Sequence, residues 1–217
     1  MIETPFLFIH GWGFDARFWD PLRAALPAHQ GTARDLGYFG PQISDPAPDG
    51  DAPVIAVTHS FGTMVLLNDP PPALAALIIV NGFPRFTEAE DYRPATPARL
   101  VQRMRRHLIE APEETLRDFR LRCGTELGTH DPLDLSRLAD DLTAMESQDC
   151  RSALAAISAP ILVLASEDDP IVPPGMTAQA FSAAERITLR WSADGRHVLP
   201  LSRPDWCAEM IGQFLCP

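Results

Sequence analysis

The sequence predicts an α/β fold, a mostly parallel sheet of about six strands flanked by helices and interrupted by a helical cap insertion. Three observations carry that expectation. Short apolar, β-branched runs alternate with helical patterns along most of the chain, as crossover connections between parallel strands require. Two of the runs, Leu77-Ile78-Ile79-Val80 and Ile161-Leu162-Val163-Leu164, are continuously apolar, as in strands buried on both faces. The strand signal then vanishes between Phe83 and Ser158, leaving only helical periodicity.

Taken in order, strands are expected at 6–9, 31–35, 53–57, 76–80, 161–165 and 187–191. Helices are expected at 61–67, directly after the third strand, at 174–184 with Pro in its first turn, and at 204–215. In the last of these Trp206, Met210, Ile211 and Phe214 form one stripe. Inside the insertion Leu100, Met104 and Leu108 recur at helical spacing, as do Leu116 with Phe119, and Leu135, Leu138, Leu142 and Met145. The expected division is a core of residues 1–82 and 159–217 with a helical cap at 83–158. The segment 41–53, rich in Pro and Asp, reads as a surface loop.

Composition excludes several function classes. The 217 residues are 46 % hydrophobic and 22 % charged, ordinary for one globular domain. A net charge of −11 argues against nucleic-acid binding, because phosphates would be repelled over most of the surface. All 18 basic residues are Arg. Without Lys there is no Schiff-base lysine, no P-loop lysine and no Ser–Lys dyad. No apolar run approaches the ~20 residues that cross a bilayer. The start of the chain has no basic stretch ahead of its short apolar run, so a cytoplasmic location and no membrane association are expected. The four cysteines form no CxxC pair, and no histidines have metal-ligand spacing, so neither a metal nor a cofactor is expected.

The chemistry concentrates at strand ends. The strand at 53–57 runs into Thr58-His59-Ser60-Phe61-Gly62 and then a helix, the strand–turn–helix setting of a nucleophile elbow with Ser60 at its tip. Such a turn needs small residues two before and two after the serine. Gly62 complies, whereas Thr58 puts a β-branched side chain in a crowded place. The first strand ends in His10-Gly11-Trp12-Gly13, placed to supply an oxyanion-hole amide from Trp12 opposite the amide of Phe61. After the fifth strand come Glu167, Asp168 and Asp169, and after the sixth comes His197, the order Ser, acid, His that this elbow requires. His197 is the expected general base. Asp169 is chosen as its orienting acid because it directly precedes Pro170-Ile171-Val172-Pro173, with Asp168 as the alternative. His10 is expected to brace the oxyanion loop, His59 to point away from Ser60, and His29, His107 and His130 to be exposed.

These motifs place the chain in the α/β-hydrolase superfamily, and it resembles the pimeloyl-[acyl-carrier protein] methyl ester carboxylesterases of biotin synthesis. The resemblance runs through Phe8-Ile9-His10-Gly11-Trp12-Gly13, Phe18-Trp19, Asp35-Leu36-Gly37-Tyr38-Phe39-Gly40, Thr58 to Gly62, Glu114-Thr115-Leu116-Arg117-Asp118-Phe119, Asp169 to Pro173 and His197. It implies a serine esterase acting on a methyl ester carried by acyl carrier protein, and the chain is expected to be a monomer. That partner is acidic, so an acidic enzyme needs a local basic surface. Between 99 and 122, seven arginines stand against four acids, and Arg99, Arg103, Arg106, Arg117 and Arg120 are the candidates for partner docking. Phe119, Leu116 and Trp12 are candidates to line an acyl channel. The alternatives are a broad small-ester carboxylesterase with the same triad, and a ligand-binding protein of this fold with negligible turnover.

Overall fold

In the computed structural model, residues 4–26, 31–40, 52–128, 132–181 and 186–216 are described. Six strands form one sheet in the order β2-β1-β3-β4-β5-β6. They are β1 (Phe6–Ile9), β2 (Gly31–Arg34), β3 (Val54–His59), β4 (Leu74–Val80), β5 (Ile161–Ser166) and β6 (Ile187–Ser192). Every pairing is parallel. Each strand lies within two residues of its expected bounds. β4 starts earliest relative to expectation, because Leu74 pairs with Val54 across a register shift.

Alternation along the strands builds two apolar layers, one on each face of the sheet. Ile9, Ala56, Leu77, Ile79, Ile161 and Val163 point into the larger layer. There they meet α2 (Gly62–Asn68), the helices of the insertion and α7 (Pro174–Phe181). Phe6, Phe8, Ile55, Val57, Ile78, Val80, Leu162 and Leu164 point into the other. That layer is closed by the 3₁₀ turn Ala16–Trp19, α1 (Asp20–Ala25), α8 (Leu199–Ser202) and α9 (Pro204–Leu215). The expected helix 174–184 extends to Phe181 within the described residues, and most of the 41–53 loop lies outside them.

Between β4 and β5 the chain forms α3 (Ala98–Glu110), α4 (Pro112–Cys123), α5 (Leu135–Ser147) and α6 (Arg151–Ala156). Their inward stripes are Val101 and Leu108, Leu116, and Leu138, Leu142 and Met145. The two ends of this segment are fastened together: Arg85 pairs with Asp149 at 2.7 Å, and Arg151 bridges Asp149 and Asp91.

The strand order decides where chemistry can occur. From β1 the chain moves outward to β2 and then returns past β1 to β3, so connections diverge on either side of the β1–β3 pair. Ligands in open α/β sheets bind beyond the carboxyl ends of strands at such a switch point. The parallel register sets Ile9 beside Thr58, which brings the His10–Gly13 loop against Ser60.

Candidate active site

At the carboxyl end of β3 the backbone turns sharply into α2, and Ser60 sits at φ +53°. A non-glycine residue there is strained and persists only when its surroundings dictate it. The surroundings are visible at two glycines. A Cβ on Gly62 would lie 2.5 Å from the carbonyl oxygens of both Ile9 and His10, and one on Gly11 would lie 2.8 Å from the Cβ of Ser60. Thr58 fits the turn because it is partnered: its buried Oγ1 is 2.9 Å from Oγ1 of Thr63, in the first turn of α2.

Ser60 Oγ is 2.9 Å from Nε2 of His197, and His197 Nδ1–H donates to Asp169 Oδ2 at 2.8 Å. All three residues are buried, with Ser60 5 % exposed. The other carboxylate oxygen of Asp169 accepts the amides of Ile171 (2.8 Å) and Val172 (2.9 Å), an anchorage that follows from the tight turn at Pro170. Of the three neighbouring acids, the fold brings Asp169 to His197. Asp168 accepts instead from Ser166 Oγ (2.6 Å) and from the amide of Arg196 (2.8 Å), bracing the loop that carries His197. Glu167 is exposed.

Two further histidines support this arrangement. His59 turns its ring away from Ser60, stacks on Phe18 with centroids 4.3 Å apart, and donates from Nε2 to the carbonyl of His197 at 2.8 Å. Burial, reinforced by the neighbouring His197, holds the His59 pKa well below its usual value, so its ring is neutral and acts through this hydrogen bond. His10 bonds to the carbonyl of Gly11 through Nδ1 and accepts the Leu36 amide at Nε2, both at 2.9 Å. His107 is exposed, while His29 and His130 lie outside the described residues.

Phe61 follows Ser60 in the chain and Trp12 follows Gly11, whose Cβ would lie 2.8 Å from that of Ser60, and among the described residues neither amide donates to a backbone carbonyl. The Trp12 loop is held from above by the inserted helices. Trp12 Nε1–H donates to the carbonyl of Leu138 on α5 at 2.8 Å, and its ring meets half-buried Phe119 of α4 edge-on with centroids 5.0 Å apart.

Arg120 departs from expectation. It is 2 % exposed, not part of a docking surface. Its Nε donates to Gly13 O at 2.8 Å and its Nη1 to Leu127 O at 2.7 Å, while its guanidinium lies 4.8 Å from the Phe39 ring centroid. Burial lowers its pKa to about 10, so it remains charged at neutral pH. The physical reason is helix register: Leu116, Arg120 and Cys123 share the stripe of α4 that faces the core. That spacing was the available signal. At the far end of the same helix, Cys123 O accepts the amide of His197 at 3.1 Å. One helix thus touches both the Gly11–Gly13 loop and the loop that carries His197. Arg99, Arg103 and Arg106 are exposed on one face of α3 without an acidic partner among the described residues, and exposed Arg117 lies 3.6 Å from Asp118.

The chain belongs to the alpha/beta hydrolase family, whose profile matches residues 6–210. It is similar to proteins named pimeloyl-[acyl-carrier protein] methyl ester esterase. The one from Legionella pneumophila (strain Corby) is 26 % identical over 78 % of this chain and 77 % of its own length. The one from Xanthomonas campestris pv. campestris (strain B100) is 27 % identical over 96 % of this chain and 94 % of its own. Among solved structures, an esterase from Exiguobacterium antarcticum superposes with a TM-score of 0.82 at 16 % identity, covering 99 % of this chain and 92 % of that one. A bromoperoxidase from Bacillus anthracis reaches 0.84 at 17 % identity over the same shares. These two likenesses show the shared fold. The expectation of a carboxylic ester hydrolase agrees with the family and the curated relatives. Among the described residues no helix is long and apolar enough to cross a membrane, and no cluster of His, Cys, Asp and Glu could hold a metal ion.

Proposed function

We propose that this protein is a serine carboxylesterase that hydrolyses the methyl ester of a pimeloyl chain carried on acyl carrier protein. The observation that carries the reaction class is the unbroken hydrogen-bond chain Ser60–His197–Asp169. Ser60 Oγ attacks the ester carbonyl while its proton passes to His197 Nε2. Negative charge then develops on the carbonyl oxygen between the amides of Trp12 and Phe61, and donors placed this way supply about 10²–10³ in rate each. His197 returns the proton to the departing methoxide, methanol leaves, and Ser60 retains the acyl group. A water then repeats the sequence in reverse, freeing the carboxylic acid and regenerating Ser60. Asp169 keeps Nδ1 protonated, so that Nε2 is the basic nitrogen.

The ester and its carrier are supported by the names of the curated relatives and by the exposed Arg99, Arg103 and Arg106 of α3. Residues 83–158 act as a cap over a core of 1–82 and 159–217. On it, Arg99, Arg103, Arg106 and Arg117 offer positive charge to an acidic carrier in an otherwise acidic cytoplasmic monomer. Phe119 and Trp12 provide the apolar wall for the acyl chain.

A fluorophosphonate probe and a paired substrate assay test this reading. Ser60 is expected to be labelled and Ser60→Ala to be silent and inactive. Reversing Arg103 and Arg106 to Glu is expected to slow hydrolysis of the carrier-bound methyl ester while sparing a short free ester. An unlabelled Ser60 would sink the enzyme assignment. Charge reversal that leaves the rates on both esters unchanged would remove the carrier and leave a broad small-ester carboxylesterase.

A further inference from the structure

β4 ends at Val80, and the next residue, Asn81, occupies the left-handed region at φ +47° with 2 % exposure. Because β4 lies between β3 and β5, Asn81 emerges between the strands that lead to Ser60 and to Asp169. Its backbone amide donates to Leu164 O at 2.8 Å. Its side chain does something the fold does not need. Nδ2 donates to Asp169 Oδ2 at 2.8 Å, the same oxygen that receives His197 Nδ1–H, and lies 3.3 Å from the carbonyl of Arg196, the residue before His197.

The orientation of this amide follows from its partners. Nδ2 faces two acceptors, so a flipped amide would set Oδ1 against both. In the orientation that results, Oδ1 is buried without a partner among the described residues. An unpaired buried acceptor and a non-glycine residue at positive φ are both unfavourable. Glycine would meet the backbone requirement at this turn without either cost. Asparagine is among the residues that tolerate this turn, and what it adds over glycine is the pair of donor contacts.

We propose that Asn81 is a positioning residue of the active site. Its Nδ2–H group fixes the Asp169 carboxylate with Oδ2 toward His197 and restrains the Arg196 carbonyl at the root of the histidine loop. This rests on the reading of Ser60, His197 and Asp169 as a hydrolytic triad. Asp169 Oδ1 is already committed to two backbone amides, so Asn81 completes a set of four donors that leaves the carboxylate one rotational setting.

Two variants and two readouts test it. Asn81→Gly accepts the positive φ and deletes only the amide. With p-nitrophenyl butyrate, kcat is expected to fall about 10- to 100-fold, as for loss of a hydrogen bond to a charged group, with KM little changed. Asn81→Asp, nearly isosteric, places a second carboxylate against Asp169. The acidic limb of its kcat/KM profile is expected to move by about one pH unit or more, because two carboxyls this close share a proton whose loss changes the charge facing the triad. The other ionisable groups around the pair are His59, Cys123, Asp168, Arg122 and Arg196, and they are the same in both variants. A purely structural asparagine would lower Tm and move neither the kcat-against-KM split nor the limb.

The downfield proton resonance of His197 Nδ1–H reports on the same geometry without turnover, and in Asn81→Gly it is expected to shift or exchange away. An unlabelled, inactive wild type would defeat the hydrolase reading, and the resonance would still judge Asn81. A folded Asn81→Gly with wild-type kcat and resonance would overturn the proposal. So would an Asn81→Asp protein whose acidic limb coincides with wild type, which decides the matter should Asn81→Gly not fold.

Discussion

The Nε–H of Arg120 donates to the carbonyl of Gly13 across 2.8 Å, tying helix α4 to the loop that carries the Trp12 amide. The contact is buried, so neither group can turn to water when the other is removed. Arg120→Met is expected to destabilise the protein by about 1–3 kcal/mol, the cost of stranding a buried polar group. Because Gly13 adjoins Trp12, kcat should fall more than KM rises. Thermal melts and steady-state kinetics on a soluble ester check both. Unchanged kcat would show that the Trp12 loop holds its shape without this tie.

Gly62 is expected to admit no side chain. Gly62→Ala would drive a Cβ to within 2.5 Å of two backbone carbonyls and push the elbow away from β1. Displacement of a nucleophile by about 1 Å costs on the order of 10² in rate. Fluorophosphonate labelling of Ser60, followed by intact-protein mass spectrometry, reads this directly.

Thr58 is expected to be integral to this elbow. In Thr58→Val the shape stays and the 2.9 Å contact with Thr63 Oγ1 goes. The expected cost is about 1 kcal/mol, which for a chain of this size lowers Tm by about 2–4 °C. Calorimetry measures it, and an unchanged Tm would reassign the hydroxyl pair as incidental.

The ends of the insertion should come loose at acid pH. Hydrogen bonds from Arg151, opposed in part by burial and joined by Arg85, hold the Asp149 pKa below its usual value. A depressed carboxylate contributes stability above its unfolded pKa, about 3.9, and loses it as pH falls through the folded value. Asp149→Asn is therefore expected to lower Tm near neutrality by about 2–4 °C, for a pair worth about 1 kcal/mol. The gap from wild type should narrow below about pH 4. Melts across a pH series test the sign: a gap that widens on acidification contradicts it.

The sequence by itself determined the order of strands and helices, the place of the helical insertion and the strand ends that carry Ser60, Asp169 and His197. These are local properties: apolar runs, their periods, and small residues at a turn survive in one dimension. Position along the chain could not say which of Glu167, Asp168 and Asp169 reaches His197. One residue of displacement in a turn sends a carboxylate to a different neighbour, and only the packing of β5 against β6 decides which. The burial of Arg120 is hidden in the sequence for a related reason, since its neighbours along the chain are charged and the face that α4 turns inward decides it. The contacts of Asn81 with Asp169 and of His59 with the His197 carbonyl span 88 and 138 residues. Such partners are made adjacent by the strand order β3-β4-β5-β6, and only the tertiary structure decided them.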